Sequence, residues 1–207
     1  MYRVNKRIFD SLFSLAVLLF GAPLFLFIGL AIKVSSNGPV FFKSSRLGRN
    51  YKPFLCFKFR TMYVDAEERL EELLQDPQKK REWERYRKFK IDPRVTPLGR
   101  FLRKTSLDEL PQFINSLRGE ISVVGPRPLS VRKSNEEVKE VLGDSSDEIL
   151  SVKPGITGLW QTSGRSCVTI KRRRSLELCY VRRRSFLFDL ALVAKTIPVM
   201  LSARGAY

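Results

Sequence analysis

The sequence contains no histidine in 207 residues. That absence excludes Ser-His-Asp and Cys-His catalysis and every histidine-ligated metal site. Cysteine is scarce: Cys56, Cys167 and Cys179 are odd in number and form no C-x-x-C pair. They build neither a disulfide framework nor a zinc ribbon, and they fit a reduced, cytosol-facing environment. Acidic residues are in deficit, 21 Asp and Glu against 38 Lys and Arg, for a net charge of +17. An excess of that size points to a polyanionic partner: nucleic acid, an anionic membrane face or a phosphorylated small molecule. No zinc motif, RRM signature or helix-turn-helix supports nucleic acid, so no nucleic-acid partner is expected. Internal repeats and low-complexity stretches are also missing. The length suits one compact domain with a short appendage. Acid–base or nucleophilic chemistry therefore falls to Asp, Glu, Lys, Tyr, Ser, Thr or Cys.

One long apolar segment is present. Residues 12–32 carry no charge and approach the roughly 20 residues that span a bilayer core. A signal peptide has the basic start seen here, but its apolar region is shorter and ends at a small-x-small cleavage site. A buried soluble helix needs core on every face. Gly21-Ala22-Pro23 interrupts the segment, and a proline there removes a backbone donor and kinks the helix. Basic residues flank both ends: Arg3, Lys6 and Arg7 before, Lys33, Lys43, Arg46 and Arg49 after. Positive charge stays on the cytoplasmic side. A straight span violates that at one end, whereas a helix that enters, bends at Pro23 and returns satisfies it at both. The pattern favours a re-entrant membrane helix over residues 1–36 and a cytosolic-face catalytic domain over 37–207.

Beyond it, residues 40–42 and 54–59 read as short strands around a turn at 46–50. Residues 64–74 read as an acidic helix broken at Asp76-Pro77, and 78–88 as a basic one. Residues 106–117 read as a single helix, with Leu107, Leu110, Ile114 and Leu117 at helical spacing. Residues 121–124 form a strand or loop running into Gly125-Pro126-Arg127-Pro128, residues 135–142 a charged helix, and 153–158 a turn cluster. A helix over 169–184 carries two basic clusters, 171–174 and 182–184. Eleven residues of separation put them about 20° apart, as one ridge. Residues 185–201 are apolar, but Asp189, Lys195 and Pro198 make a full span costly and fit a helix lying at the membrane surface. The fold class is α/β: a compact, mostly helical catalytic domain with a small β element and surface-lying amphipathic helices.

The densest polar stretch runs from Arg103 to Gln112 around Asp108-Glu109. Ser106-x-x-Glu109 is a capping box, which leaves Asp108 only complementing a helix dipole. The same placement serves chemistry. A carboxylate in the first helical turn is held ionised, and an ionised Asp can attack phosphorus to form an acyl-phosphate. A neighbouring carboxylate can hold Mg²⁺ against a diphosphate. Guanidinium groups bind phosphate oxygens bidentately. Arg103, Arg127 between its two prolines, and Lys58 and Arg60 on an apolar run are the candidates, each of which is also explicable as a solvated surface charge. Spacing alone leaves cap and active site both standing.

The chain resembles the monotopic phosphoglycosyl transferases, the bacterial sugar transferase family. The resemblance rests on KRIFD at 6–10, NGPVFFKSSRLGR at 37–49, KFRTM at 58–62, DPRVTPLGRFLRKTSLDELPQF at 92–113, GEISVVGPRP at 119–128, VKPGITGLWQTSGRS at 152–166 and the terminal RGAY. These motifs cover nearly the whole chain in order. The resemblance implies a re-entrant helix broken at a proline, here Pro23, on the cytoplasmic face of the bacterial inner membrane, among anionic phospholipids. It implies that Asp108 is the nucleophile that attacks a UDP-sugar, releases UMP and holds a phospho-sugar until undecaprenyl phosphate accepts it. Glu109, with Asp108, is then the Mg²⁺ side of the site, and Arg103, Arg127 and Lys58 or Arg60 bind phosphate. A homodimer is an open expectation.

The connection over 67–90 and the RGAY ending look like the branch that includes undecaprenyl-phosphate galactose phosphotransferases. That favours UDP-galactose, with UDP-glucose next and a non-catalytic scaffold of glycan assembly as the outlying alternative. Larger members of that branch carry a spanning region and a further soluble domain, so a short member or an excised catalytic part is expected. Glu177 stands where the family leads one to expect Asp, Cys179 replaces an aromatic or polar residue, and 167–174 is unusually basic. These departures are expected to touch acceptor or lipid contact rather than the dyad.

Overall fold

In a computed structural model, the described residues are 2–86, 89–131, 138, 141–164 and 168–202. The terminal RGAY, Cys167 and most of the helix expected at 135–142 lie outside them. The apolar N-terminus forms two helices, α1 (Tyr2–Phe20) and α2 (Ala22–Ser35), bent by 61° where they meet. The break falls at Gly21, and Pro23 sits in the first turn of α2. Proline costs nothing there, because the first backbone donors of a helix have no partner to lose. Among the described residues no single helix is long and apolar enough to cross a membrane, while the bent pair together has the length and composition.

Strand β1 (Phe41–Leu47) pairs antiparallel with β2 (Pro53–Phe59) across a turn containing Asn50 and Tyr51 at positive φ. The first strand runs five residues past the boundary read from the sequence, because Ser44 and Ser45 hide its alternation. Helices α3 (Ala66–Leu73) and α4 (Pro77–Tyr86) follow, divided at Asp76 as expected. Helix α5 (Pro97–Thr105) starts at Thr96, whose hydroxyl accepts from the Gly99 amide at 2.9 Å, with Pro97 just inside the helix. A Cβ on Gly99 would lie 2.0 Å from the Thr61 carbonyl oxygen, so glycine lets α5 press against the chain leaving β2.

The helix expected over 106–117 is divided. Ser106 is left-handed (φ 59°) and ends α5, residues 107–109 make a single 3₁₀ turn, Pro111 intervenes, and α6 spans Gln112–Arg118. No side-chain cap forms at Ser106, so the capping box is not built. The physical reason is competition: the Glu109 carboxylate takes two cationic partners instead of a backbone amide. Strand β3 (Ser122–Val124) pairs parallel with β4 (Gly155–Thr157), so the expected turn cluster at 153–158 contains a strand. The close approach needs Gly155, where a Cβ would lie 2.0 Å from the Gly125 nitrogen. A short α7 (Ser146–Leu150), then α8 (Ile170–Arg183) and α9 (Phe186–Ser202) complete the order.

The N-terminal pair shares its core with the rest of the chain. Phe9, Phe13 and Val17 of α1 pack on Phe113, Val123 and Leu192, and Ile28 and Ile32 of α2 on Phe59 and Leu102. Polar locks reinforce this. Buried Asp10 accepts from the Ser122 hydroxyl (2.8 Å) and the Val123 amide (3.0 Å). Arg7 donates to the Ser116 and Leu117 carbonyls at the end of α6, at 2.7 and 2.8 Å. Lys6 pairs with Asp189 of α9 at 2.7 Å, and Asp189 also accepts from the Tyr2 and Tyr180 hydroxyls. The KRIFD motif is thus the docking face of α1. Opposite faces stay apolar and open: Phe20 (87% exposed), Phe27 (69%), Val34 (89%) and Leu187 (77%).

Lys6→Met leaves the Asp189 carboxylate buried without its counter-charge. Removing one partner of a buried pair costs about 3–5 kcal/mol, and thermal unfolding in detergent should show that loss. Asp189→Asn in the same chain should recover most of it; an unchanged melting temperature in Lys6→Met would remove Asp189 as the α1–α9 lock.

Candidate functional site

Pairing in the β1–β2 hairpin sets one wall of the site. Phe42 is opposite Lys58, Ser44 opposite Cys56 and Arg46 opposite Phe54, so these side chains share one face. Asn115 of α6 holds β2 in place, accepting from the Phe57 amide at 2.9 Å and donating to the Leu55 carbonyl at 2.7 Å. Lys58 is thereby fixed under the 3₁₀ turn. Its ammonium lies 2.8 Å from Glu109 Oε1 and 3.3 Å from Asp108 Oδ2. Arg127 reaches the same Glu109 from the other side as a fork, 2.7 Å from Oε2 and 2.5 Å from Oε1. That bidentate pairing is the strong, planar kind. Helix α8 supports the Arg127 loop: Glu177 Oε1 accepts the Arg127 backbone amide at 3.1 Å. One turn on, the Tyr180 hydroxyl lies within bonding distance of the Val124 carbonyl.

The five residues Lys58, Arg103, Asp108, Glu109 and Arg127 line one cavity of about 650 Å³. Arg103 enters from the last turn of α5, steadied by a 2.9 Å bond from its Nε to the Thr61 hydroxyl. Arg60, a candidate on the same sequence run, lies elsewhere. Its guanidinium donates to the Asn37 carbonyl and, at 2.7 Å, to the Ser36 carbonyl, closing the end of α2. A step of two residues past Lys58 leaves the strand, so the shared face of 58 and 60 is lost. Arg46 joins the wall unannounced. Alternation Phe42-Ser44-Arg46 was the signal for it, concealed by reading residues 46–50 as turn. Trp160 and Gln161 also line the cavity. On the basic ridge of α8, Lys171, Arg172, Arg182 and Arg183 are exposed, while Arg173 turns inward and stacks on the Trp160 ring at 4.5 Å.

The two carboxylates are pushed in opposite directions. Burial works against ionisation of Glu109, but Arg127 and Lys58 outweigh it and hold the carboxyl far below the usual range. Asp108 is only 7% exposed, and burial, with the Glu109 charge adding to it, raises its pKa against the pull of Lys58. The dipole of a first helical turn was expected to favour the charged form; a three-residue 3₁₀ turn supplies too little of it to win over burial. Glu177 is pushed up to about 7 by burial, opposed by Arg173. Glu177 is buried and meets the Arg127 amide, so it reaches the dyad only through Arg127. Among the described residues no group of three or more Asp, Glu, Cys or His forms a metal cage.

Apolar side chains line the same cavity, among them Phe13 and Val17 of α1 and Val193, Ile197 and Met200 of α9. The cavity thus sets a carboxylate dyad among cations beside side chains of apolar helices. Residues 1–203 match the bacterial sugar transferase family, and the chain belongs to that family. It is 45% identical over 203 residues to the exopolysaccharide production protein ExoY of Rhizobium meliloti, covering 98% of this chain and 88% of that one. It is 42% identical over 206 residues to the undecaprenyl-phosphate galactose phosphotransferase of Salmonella typhimurium, covering 99% of this chain and 42% of the relative. It is 39% identical over 210 residues to the UDP-glucose:undecaprenyl-phosphate glucose-1-phosphate transferase of Escherichia coli, with coverage of 99% and 42%.

A raised Asp108 pKa is also a stability statement. The folded chain holds the Asp108 proton more tightly than the unfolded one, so stability is full below the ordinary aspartate value of about 3.9 and falls as pH rises through the folded value. Asp108→Asn should therefore melt above wild type at pH 7, by about 2–4 °C per kcal/mol recovered. The advantage should shrink on acidification. A lower melting temperature for Asp108→Asn at pH 7 would contradict the assignment.

Proposed function

We propose that the chain transfers a sugar-1-phosphate, galactose-1-phosphate first, from a UDP-sugar to undecaprenyl phosphate through a covalent intermediate on Asp108. The observation that carries the reading is the mixed lining of a single cavity. One group of lining residues is Asp108 and Glu109 with Lys58, Arg103, Arg127 and Arg46; the other is apolar and includes residues of α1 and α9. A nucleotide sugar suits the first and a prenyl chain the second. The galactose and glucose transferases among the relatives support both the reaction and the order of sugars.

Asp108 Oδ attacks the phosphorus that bears the sugar, forming an acyl-phosphate as the bond to the bridging oxygen breaks and UMP departs. An oxygen of the acceptor phosphate then attacks the same phosphorus and frees Asp108. Lys58 touches both carboxylates and so steadies Asp108 in its ionised form. Arg127, fixed by Glu109 and Glu177, presents an oriented guanidinium to the diphosphate. Mg²⁺ suits the donor set, since hard carboxylate oxygens with substrate phosphates are its usual ligands. Asp108 and Glu109 would hold it, Glu109 by giving up one of its contacts to Arg127 or Lys58, and it would neutralise leaving-group charge.

The apolar faces of α1 and α2 and the basic residues at both ends, Arg3 and Lys33 among them, support a re-entrant hairpin in the bacterial inner membrane with the catalytic domain on the cytoplasmic face. Cysteines placed at Arg3 and Lys52, both exposed, should label from the same side of sealed vesicles. Labelling from opposite sides would sink the hairpin.

UMP release from UDP-galactose with Mg²⁺ and undecaprenyl phosphate tests the reaction. A panel of UDP-sugars should rank galactose first and glucose second, and EDTA should abolish turnover. Arg127→Lys, which keeps charge but not the fork, should lower kcat/KM by about 10- to 100-fold. No UMP from any UDP-sugar would favour the scaffold reading.

A further inference from the structure

Five buried side-chain polar atoms with no hydrogen-bond partner among the described residues belong to four neighbouring residues: Trp160 Nε1, both amide atoms of Gln161, Arg173 Nε and Glu177 Oε2. The four are physically continuous. Arg173 stacks on Trp160 at 4.5 Å and lies 3.9 Å from Glu177, which in turn holds the Arg127 amide. Trp160 and Gln161 line the catalytic cavity. Native chains leave few such atoms unmatched, because each costs about 1–3 kcal/mol. A Gln161 residue that is 94% buried by its 6% exposure, with both donor and acceptor unmatched, is a seat for a group that offers the complementary pair.

We propose that Trp160 and Gln161, backed by Arg173 and Glu177, form the subsite for the pyrimidine base of the nucleotide donor. The proposal rests on the donor being a nucleotide sugar. Two observations point to the base rather than the sugar. The first is position. Arg127 meets Glu109 with its guanidinium and Glu177 with its backbone amide, so a whole arginine side chain lies between the dyad and Glu177, the member of the cluster that backs it through Arg173. The sugar hangs on the phosphorus that Asp108 attacks, whereas the nucleoside leaves on the far side of it. The second is chemistry. A primary amide matches the adjacent N–H and C=O of a pyrimidine imide edge, two bonds in one plane, and the indole fixed by Arg173 offers a flat neighbour. Gly158 lies beside the same amide: a Cβ there would meet the Gly125 carbonyl oxygen at 2.2 Å and Gln161 Oε1 at 2.9 Å.

The test is binding to the full chain in detergent micelles, with no turnover required. UMP, ribose 5-phosphate and galactose 1-phosphate are titrated against wild type, Gln161→Met and Trp160→Phe. Gln161→Met keeps the volume and Trp160→Phe keeps a ring, so both should fold, and their melting temperatures check it. Wild type should bind UMP at least about tenfold more tightly than ribose 5-phosphate, the equivalent of about 1.4 kcal/mol. Gln161→Met should collapse that gap, Trp160→Phe should narrow it, and galactose 1-phosphate affinity should hold. Loss of galactose 1-phosphate binding with UMP unaffected assigns the cluster to the sugar and overturns the proposal. A changed melting temperature with all three affinities kept makes it packing and also overturns it, as does a wild type that does not bind UMP. Gln161-dependent UMP binding in a protein that turns over no UDP-sugar would keep the subsite and reject the transferase reading.

Discussion

Glu109 is the carboxylate on which the site is assembled. It draws Lys58 from the hairpin and Arg127 from the loop after β3 onto one point, with a fork of 2.7 and 2.5 Å on one side and an ammonium at 2.8 Å on the other. Those bonds are strong enough to hold a buried carboxyl far below its usual pKa. They also decide the local backbone. A glutamate committed to two cations cannot reach back to cap a helix, so the chain turns at Ser106 and passes through Pro111 before α6 begins. Asp108 is left beside an ionised neighbour, buried and with its pKa raised, facing the cavity.

The rest of the molecule brings these parts to an apolar boundary. Asp10, Arg7 and Lys6 fasten α1 to β3, α6 and α9. Arg60 fastens α2 to the end of β2. Of the helices that carry open apolar faces, α1 and α9 also line the cavity. A substrate whose tail lies among Val193, Ile197 and Met200 has its head near Asp108 without leaving that boundary. In the proposed reaction, position more than any single contact favours a lipid phosphate as acceptor.

The features legible in the sequence were local ones. Gly21 and Pro23 marked the break, Asp76-Pro77 the division between α3 and α4, and Asp108-Glu109 with Lys58, Arg103 and Arg127 a set of residues that the fold does bring to one cavity. Features decided by distant partners were not legible. Ser106 and Glu109 spell a cap until Lys58 and Arg127 arrive from elsewhere in the chain. Arg60 reads like Lys58 until the strand ends between them. Arg173 reads as surface charge until Trp160 takes its guanidinium. Arg46 stayed hidden because two serines masked a strand. In each case a tertiary contact outweighed a pattern that was correct by itself.

The most direct measurement of the central claim is the mass of the intact protein after incubation with UDP-galactose and no acceptor. A covalent step at Asp108 predicts an added mass of one hexose-phosphate, located to the peptide containing Asp108. Undecaprenyl phosphate should discharge it, and Asp108→Asn should never acquire it. Sugar transfer to the lipid without any adduct, at an undiminished rate in Asp108→Asn, would contradict the nucleophilic role of Asp108.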